Sequence, residues 1–251
     1  AGDLVLVCDV GGGTSDFSLI AIQDRDGDLE LQRVSVGEHI LLGGDNIDLA
    51  LAYTLQAKLK AEGKKIDAWQ LRALTLECRR AKEGLLSQPE LNEYSVSIPS
   101  RGSSLFSQTL SVSIERSLVD SIVFDGFLPM TGPDERPVEQ STSALQEFGL
   151  AYAADPVISK HLARFLGRSL ENVASSPALR ATIGERWDAA QARGMLLPTA
   201  VLFNGGFFNA GALRQRVLDL LASWGDGAAP RALDGCEPDL AVARGAAVYA
   251  R

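Results

Sequence analysis

Apolar and polar positions change rhythm several times along the chain. Leu4-Val5-Leu6-Val7-Cys8 is a nearly continuous apolar run, which predicts a strand buried on both faces. The pattern resumes at residues 17–22. Asp26-Gly27 then forms a hairpin-turn pair, and residues 29–36 alternate, so three sequential strands in a meander are predicted. From Ile47 the period changes, with Ile47, Leu51, Leu55 and Leu59 on one helical face. Asp67 and Gln70 have the spacing of a capping box. The helix they open carries Leu71, Leu74, Cys78, Ala81 and Leu85 on its apolar side. Alternation returns at residues 94–98 and 107–113, separated by Ser100-Arg101-Gly102-Ser103, and predicts a hairpin.

Residues 114–123 suit a helix stopped by Asp125-Gly126-Phe127-Leu128-Pro129, and residues 130–142 read as a loop. Asp155-Pro156 supplies an N-cap and a first-turn proline for a helix that buries Ile158, Leu162 and Phe165. Residues 175–197 mix helical and breaker signals and receive no element. A strand at 199–203 precedes a helix with Leu213, Val217, Leu220 and Trp224 on one face. A short strand at 231–233 follows, then a last helix from Pro238 whose Ala241, Gly245 and Ala246 suit close packing. This succession predicts parallel pairing within an α/β layer.

Composition narrows the function. The 251 residues, 46% of them hydrophobic, can bury a substantial core in a soluble globular chain. The net charge of −8 argues against a nucleic-acid groove. No apolar run reaches the roughly 18 residues of a membrane span. The opening lacks the form of a signal peptide, so a cytoplasmic setting without a membrane partner is expected. Cys8, Cys78 and Cys236 are too scattered for a disulfide framework or metal knuckle, and Cys78 falls on an apolar helix face. His39 and His161 leave little for histidine-centred catalysis, and His161 reads as surface or ordinary packing.

The 24 glycines matter more, because several cluster beside strand-like runs. Asp9-Val10-Gly11-Gly12-Gly13-Thr14-Ser15-Asp16 lies between two strands. Its glycines let backbone N–H groups point at an anion, Asp9 can hold a hydrated divalent cation, and the Thr14 hydroxyl can meet a phosphate or a water. A plain glycine-rich turn between solvated aspartates fits the same residues. Asn204-Gly205-Gly206, between a strand and a helix, either opens a helix N-terminus to a ligand or makes a tight connection. Gly43-Gly44-Asp45 precedes a helix and reads equally as a cap. Arg79, Arg80, Lys82 and Glu83 read locally as a solvated helix face. Neither a G-x-G-x-x-G fingerprint nor a Walker-type P-loop is present.

Taken in order, these segments resemble the second lobe of the Hsp70 nucleotide-binding domain, in the actin-like ATPase superfamily. Residues 9–17 are similar to the family's second phosphate motif. Leu42-Gly43-Gly44-Asp45-Asn46-Ile47-Asp48 is similar to the entry into its smaller subdomain. Cys78-Arg79-Arg80-Ala81-Lys82 resembles the adenosine-facing helix, residues 201–206 the adenosine motif, and residues 237–247 the closing helix. The resemblance implies an actin-like, ribonuclease H-like α/β lobe. Residues 1–43 and 115–251 would form its larger part, with an atypical segment at about 124–197. Residues 44–114 would form an inserted α+β subdomain. It also implies ATP or ADP with magnesium as cofactors. Asp9 would face magnesium through water and act with Thr14 in catalysis, while Gly11, Gly12, Gly13 and Thr14 would wrap the phosphates. Gly44, Lys82, Gly205, Gly206 and Asp239 would line the nucleoside.

The same comparison marks departures. Lys82 is kept, but Arg79 stands at the family's Glu position and Glu83 at its Arg position. Phe207, Phe208 and Asn209 follow the glycine pair in place of a second Arg, so the phenyl face of Phe207 is the expected substitute for a guanidinium stack. Only eight residues precede Asp9, so the chain is expected to be one half of an ATPase site from a longer parent, with little turnover of its own. The missing first lobe would be its partner. Client peptides or co-chaperones would act through other parts of the parent. Two other readings stay open: a nucleotide-sensing or structural module without hydrolysis, and a sugar-kinase-like member of the superfamily.

Overall fold

In the computed structural model the described residues are 3–99, 110–138, 153–235 and 237–250. Strands β1 (Leu4–Val10), β2 (Ser15–Arg25) and β3 (Asp28–Val36) form the antiparallel meander that the pattern predicts. Its tip is a two-residue turn in which Asp26 and Gly27 both have positive φ, the conformation that matches strand twist. Strands β6 (Ala200–Asn204) and β7 (Arg231–Ala232) extend the sheet in parallel, giving the order β3-β2-β1-β6-β7. The mixed sheet fits an actin-like α/β architecture.

The two faces of this sheet differ. Leu4, Leu6, Cys8 and Val10 of β1 share a face with Phe17, Leu19, Val201 and Phe203, and all are buried. Helix α4 (Ile158–Ala174) packs there, its Phe165 ring 5.8 Å from that of Phe17. Val7, Asp9, Ser18, Ile20 and Leu202, on the opposite face, are only half-buried. The apolar run of β1 therefore overstates its burial at Val7, although Val5 and Ala200 on the same face are buried.

Helices α1 (Gly44–Ala61) and α2 (Ala68–Ser87) pack with the hairpin of β4 (Glu93–Ile98) and β5 (Leu110–Glu115). Their apolar faces carry the side chains predicted from spacing, with Leu51, Leu55, Leu74, Cys78 and Leu85 fully buried. The Asp67 carboxylate accepts the N–H groups of Trp69 and Gln70, while Gln70 Oε1 accepts the Asp67 N–H, closing the predicted box. Residues 107–109 of the predicted hairpin lie outside the described set.

Several boundaries differ from expectation. The helix after β5 begins at Arg116 (α3, Arg116–Asp120) and continues as a π-helical stretch to Phe127, through the supposed stop at Asp125-Gly126. Helix α4 starts at Ile158 rather than beside Pro156. Instead of capping that helix from its first turn, the Asp155 carboxylate accepts from the N–H groups of Val138 and Val157. The unassigned stretch holds α5 (Pro177–Ile183) and α6 (Arg186–Arg193). Helix α7 (Gly211–Trp224) buries its predicted face, and Trp224 Nε1 donates to the Thr131 carbonyl at 2.7 Å. Helix α8 (Pro238–Tyr249) does not pack closely: Leu240, Val242, Val248 and Tyr249 are exposed, and a Cβ on Gly245 would meet nothing.

Candidate functional site

The site is assembled around the turn between β1 and β2. Ser15 fixes its far side, exchanging backbone hydrogen bonds with Ile40 and donating its buried hydroxyl to the Leu42 carbonyl at 2.7 Å. This delivers Gly43-Gly44 to the turn. The Gly44 and Asp45 N–H groups donate to the carbonyls of Gly11 and Gly12 at 3.0 and 2.7 Å. A Cβ on Gly43 would lie 2.6 Å from both of those oxygens, so close packing requires glycine there. The pair is therefore more than a cap. The first N–H groups of α1 are spent on the turn and are not open to an anion.

With Gly11 and Gly12 carbonyls engaged, the N–H groups of Gly12 and Gly13 have no protein acceptor among the described residues. Both glycines are exposed, and a Cβ on Gly13 would enter open space. Thr14 is half-buried beside them. The second glycine pair meets this turn from the other side. Gly205 has φ +84°, and a Cβ there would run into the Val10 carbonyl and stand 2.9 Å from Asp9 Oδ1. Asn204 Nδ2 donates to Asp9 Oδ2 at 2.8 Å, fixing the carboxylate while its other oxygen faces Gly205.

A cleft of about 380 Å³ opens from this junction. Of the residues singled out by sequence, it brings together Gly11, Gly12, Gly44, Lys82, Gly206 and Phe207. Asp9, Gly13, Thr14 and Gly205 belong to the adjoining turns rather than to the cleft wall. Asp239 is in the first turn of α8, and its side chain lies outside the described residues. Phe207 is mostly buried, edge-on to Phe208 with ring centroids 5.2 Å apart, so it offers the cleft a small apolar surface.

Of the α2 charges Arg79, Arg80 and Glu83 are exposed, as a solvated face requires, but Lys82 is not. Lys82 is buried, its Nζ 2.6 Å from Asp48 Oδ1 and 3.0 Å from the Gly44 carbonyl, so its ammonium is tied to α1. Arg79 Nε donates to Asp48 Oδ2 at 3.1 Å, and Arg79 Nη2 pairs with Asp45. The hydrogen bond to Asp48 pushes the Arg79 pKa up, reinforced by the charge of Asp45, so the guanidinium stays charged. Asp45 in turn lies against the turn, since a Cβ on Gly12 would come within 2.8 Å of its Oδ1. Asp48 was missed by sequence reasoning. It entered only as the last residue of the Leu42–Asp48 segment, although its i+3 and i+4 spacing to Leu51 and Ala52 puts it on the buried face of α1. Asn204, Val123 and Leu213 also gain roles that no local pattern assigns.

The residues fit a phosphate-bearing ligand with magnesium. Free N–H groups suit phosphate oxygens. Among the described residues no group of three or more His, Cys, Asp or Glu could hold a metal. A lone carboxylate beside a phosphate cradle suits magnesium, which keeps its waters and binds through few carboxylates. Over residues 1–148 the chain matches the family model described as Hsp70 protein, a span that includes the glycine turn, α1 and α2. More than half of the sequence is matched, and the chain belongs to the Hsp70 family, whose nucleotide-binding domains take ATP or ADP with magnesium.

Proposed function

We propose that the chain is the second lobe of an Hsp70-type nucleotide-binding domain, supplying one wall of an ATP site. The observation that carries this reading is the turn at Gly11–Gly13, whose carbonyls are held by α1 while two N–H groups remain free beside Asp9. In this reading those N–H groups and the Thr14 hydroxyl hold phosphate oxygens. Asp9, oriented by Asn204, accepts hydrogen bonds from waters of the bound magnesium. When bound, that ion neutralises phosphate charge during transfer to water. Gly44, Gly205 and Gly206 let the ligand approach backbone, and Lys82 braces the wall through Asp48.

Two surfaces support a partner lobe. One is the half-buried sheet face of Val7, Ile20 and Leu202, and the other is α8 with its exposed apolar side chains. Residues 44–114 would move as the smaller subdomain against 1–43 and 115–251 as the lobes open and close. No helix among the described residues is long and apolar enough to cross a membrane.

The purified chain should bind Mg-ATP weakly and turn over almost none. Single-turnover hydrolysis measured alone, and again with the complementary lobe added, checks this. Full chaperone-rate turnover by the chain alone would contradict it.

A second reading, a nucleotide-responsive module without hydrolysis, is favoured by the Arg79–Asp45 pair standing against Gly12 at the cleft mouth. Equal hydrolysis by the reconstituted protein and its Thr14→Ala variant would select it.

A further inference from the structure

Resting on the nucleotide reading above, the geometry points to Glu83 as a selector that recognises the nucleoside by a pair of adjacent hydrogen-bond donors. Helix α2 runs along the cleft like a ruler. Arg79 marks the phosphate end, since it pairs with Asp45, which lies against Gly12. Glu83 stands one turn further on, about 6 Å along the axis, and Leu86 and Ser87 about 10–12 Å. All four line the same cleft. Leu86, Val123, Phe207 and Leu213 also line the cleft and give it an apolar surface suited to the flat face of a base.

The charges along this ruler are unequal in freedom. Lys82 is committed to Asp48 and the Gly44 carbonyl, and Arg79 to Asp45 and Asp48. Glu83 is exposed in the cleft wall and makes no hydrogen bond or ion pair with the described residues. An ionised carboxylate only accepts, and its two oxygens match two donors side by side. A nucleotide offers such a pair in two places: the 2′,3′-diol of ribose, and the N1–H and N2–H₂ edge of guanine. Adenine presents an acceptor beside its one amino donor, which a carboxylate repels. An acceptor at this position therefore sets which ligand group is read, and Asn209 lines the same cleft.

Binding of ATP, 2′-deoxy-ATP and GTP, each with magnesium, to the full chain and to Glu83→Ala and Glu83→Gln checks the proposal, with circular dichroism confirming that each variant is folded. If the diol is read, wild type binds 2′-deoxy-ATP about tenfold more weakly than ATP, and Glu83→Ala abolishes the difference. If the guanine edge is read, wild type binds GTP about tenfold more tightly than ATP, and that gap closes instead. Glu83→Gln, keeping one acceptor, falls between the two. Equal binding of all three ligands, or preferences that survive in Glu83→Ala, would overturn the selector while leaving the phosphate site standing. Absence of binding by every nucleotide would overturn both.

Discussion

The two ends of the cleft are built from different materials. At the turn end the working groups are backbone amides, placed by glycines that approach other backbone too closely for a Cβ. At the α2 end they are long side chains, placed by ion pairs between residues more than thirty positions apart. Backbone construction tolerates no side chain where a glycine meets other backbone, as at Gly43 and Gly205. Side-chain construction is adjustable, and it is here that Arg79 and Glu83 stand. In the proposed reading one end holds phosphate, while the other sets what else is recognised.

The sharpest way to break this contrast is at Gly205. Gly205→Ala must place a Cβ against the Val10 carbonyl at φ +84°, and should cost roughly 3 kcal/mol or more, read by urea denaturation. Gly13→Ala, entering open space in the same region, should change stability by less than about 0.5 kcal/mol. Comparable losses at both would show that general glycine flexibility, not close approach, governs the turn.

At the other end, Lys82→Met leaves buried Asp48 with only Arg79 and should cost about 3 kcal/mol. Adding Asp48→Leu should recover much of that loss, because the unpaired buried charge is removed with its partner. No recovery in the double variant would mean that packing, not charge, holds α1 to α2.

The inner side of α2 gives a pH test. Burial pushes the Cys78 thiol up to about 12, and burial also raises Cys8. Raised folded-state values contribute stability below the unfolded pKa near 8.5, and it is lost as pH rises above that value. Stability should fall by about 1 kcal/mol per thiol between pH 8.5 and 9.5. Cys78→Ala should lessen this alkaline slope in denaturation midpoints. An unchanged slope would show that Cys78 titrates freely. Arg79→Ala, at a half-exposed pair, should cost under about 1 kcal/mol of stability, yet weaken ATP more than adenosine in a binding titration. Equal weakening of both would remove Arg79 from the phosphate end.

The same division explains what was legible in the sequence. Strand alternation, the Asp26-Gly27 turn and the Asp67–Gln70 box are local, so β1–β3, α1 and α2 were readable with their faces. The glycine clusters were visible as candidates, but a plain turn, a cap or a tight connection fitted the same residues until their close approaches were seen. The Lys82–Asp48 tie and the Arg79 bridge were not, since a charged residue on a helix looks solvated until its neighbour is known. The π-helical stretch from Ser121 to Phe127 was hidden as well, because its Asp-Gly pair normally stops a helix. Burial of Val7 was over-read, because a continuous apolar run does not tell how far each face of a strand is covered.

The central claim is that phosphates meet the free backbone amides of the Gly11–Gly13 turn. Amide chemical shifts of the isotopically labelled chain, titrated with Mg-ATP, test it most directly. The account predicts that the largest shifts fall at Gly12, Gly13 and Thr14, with smaller ones at Gly206 and along residues 79–87. Saturating changes elsewhere with those amides unmoved would contradict it.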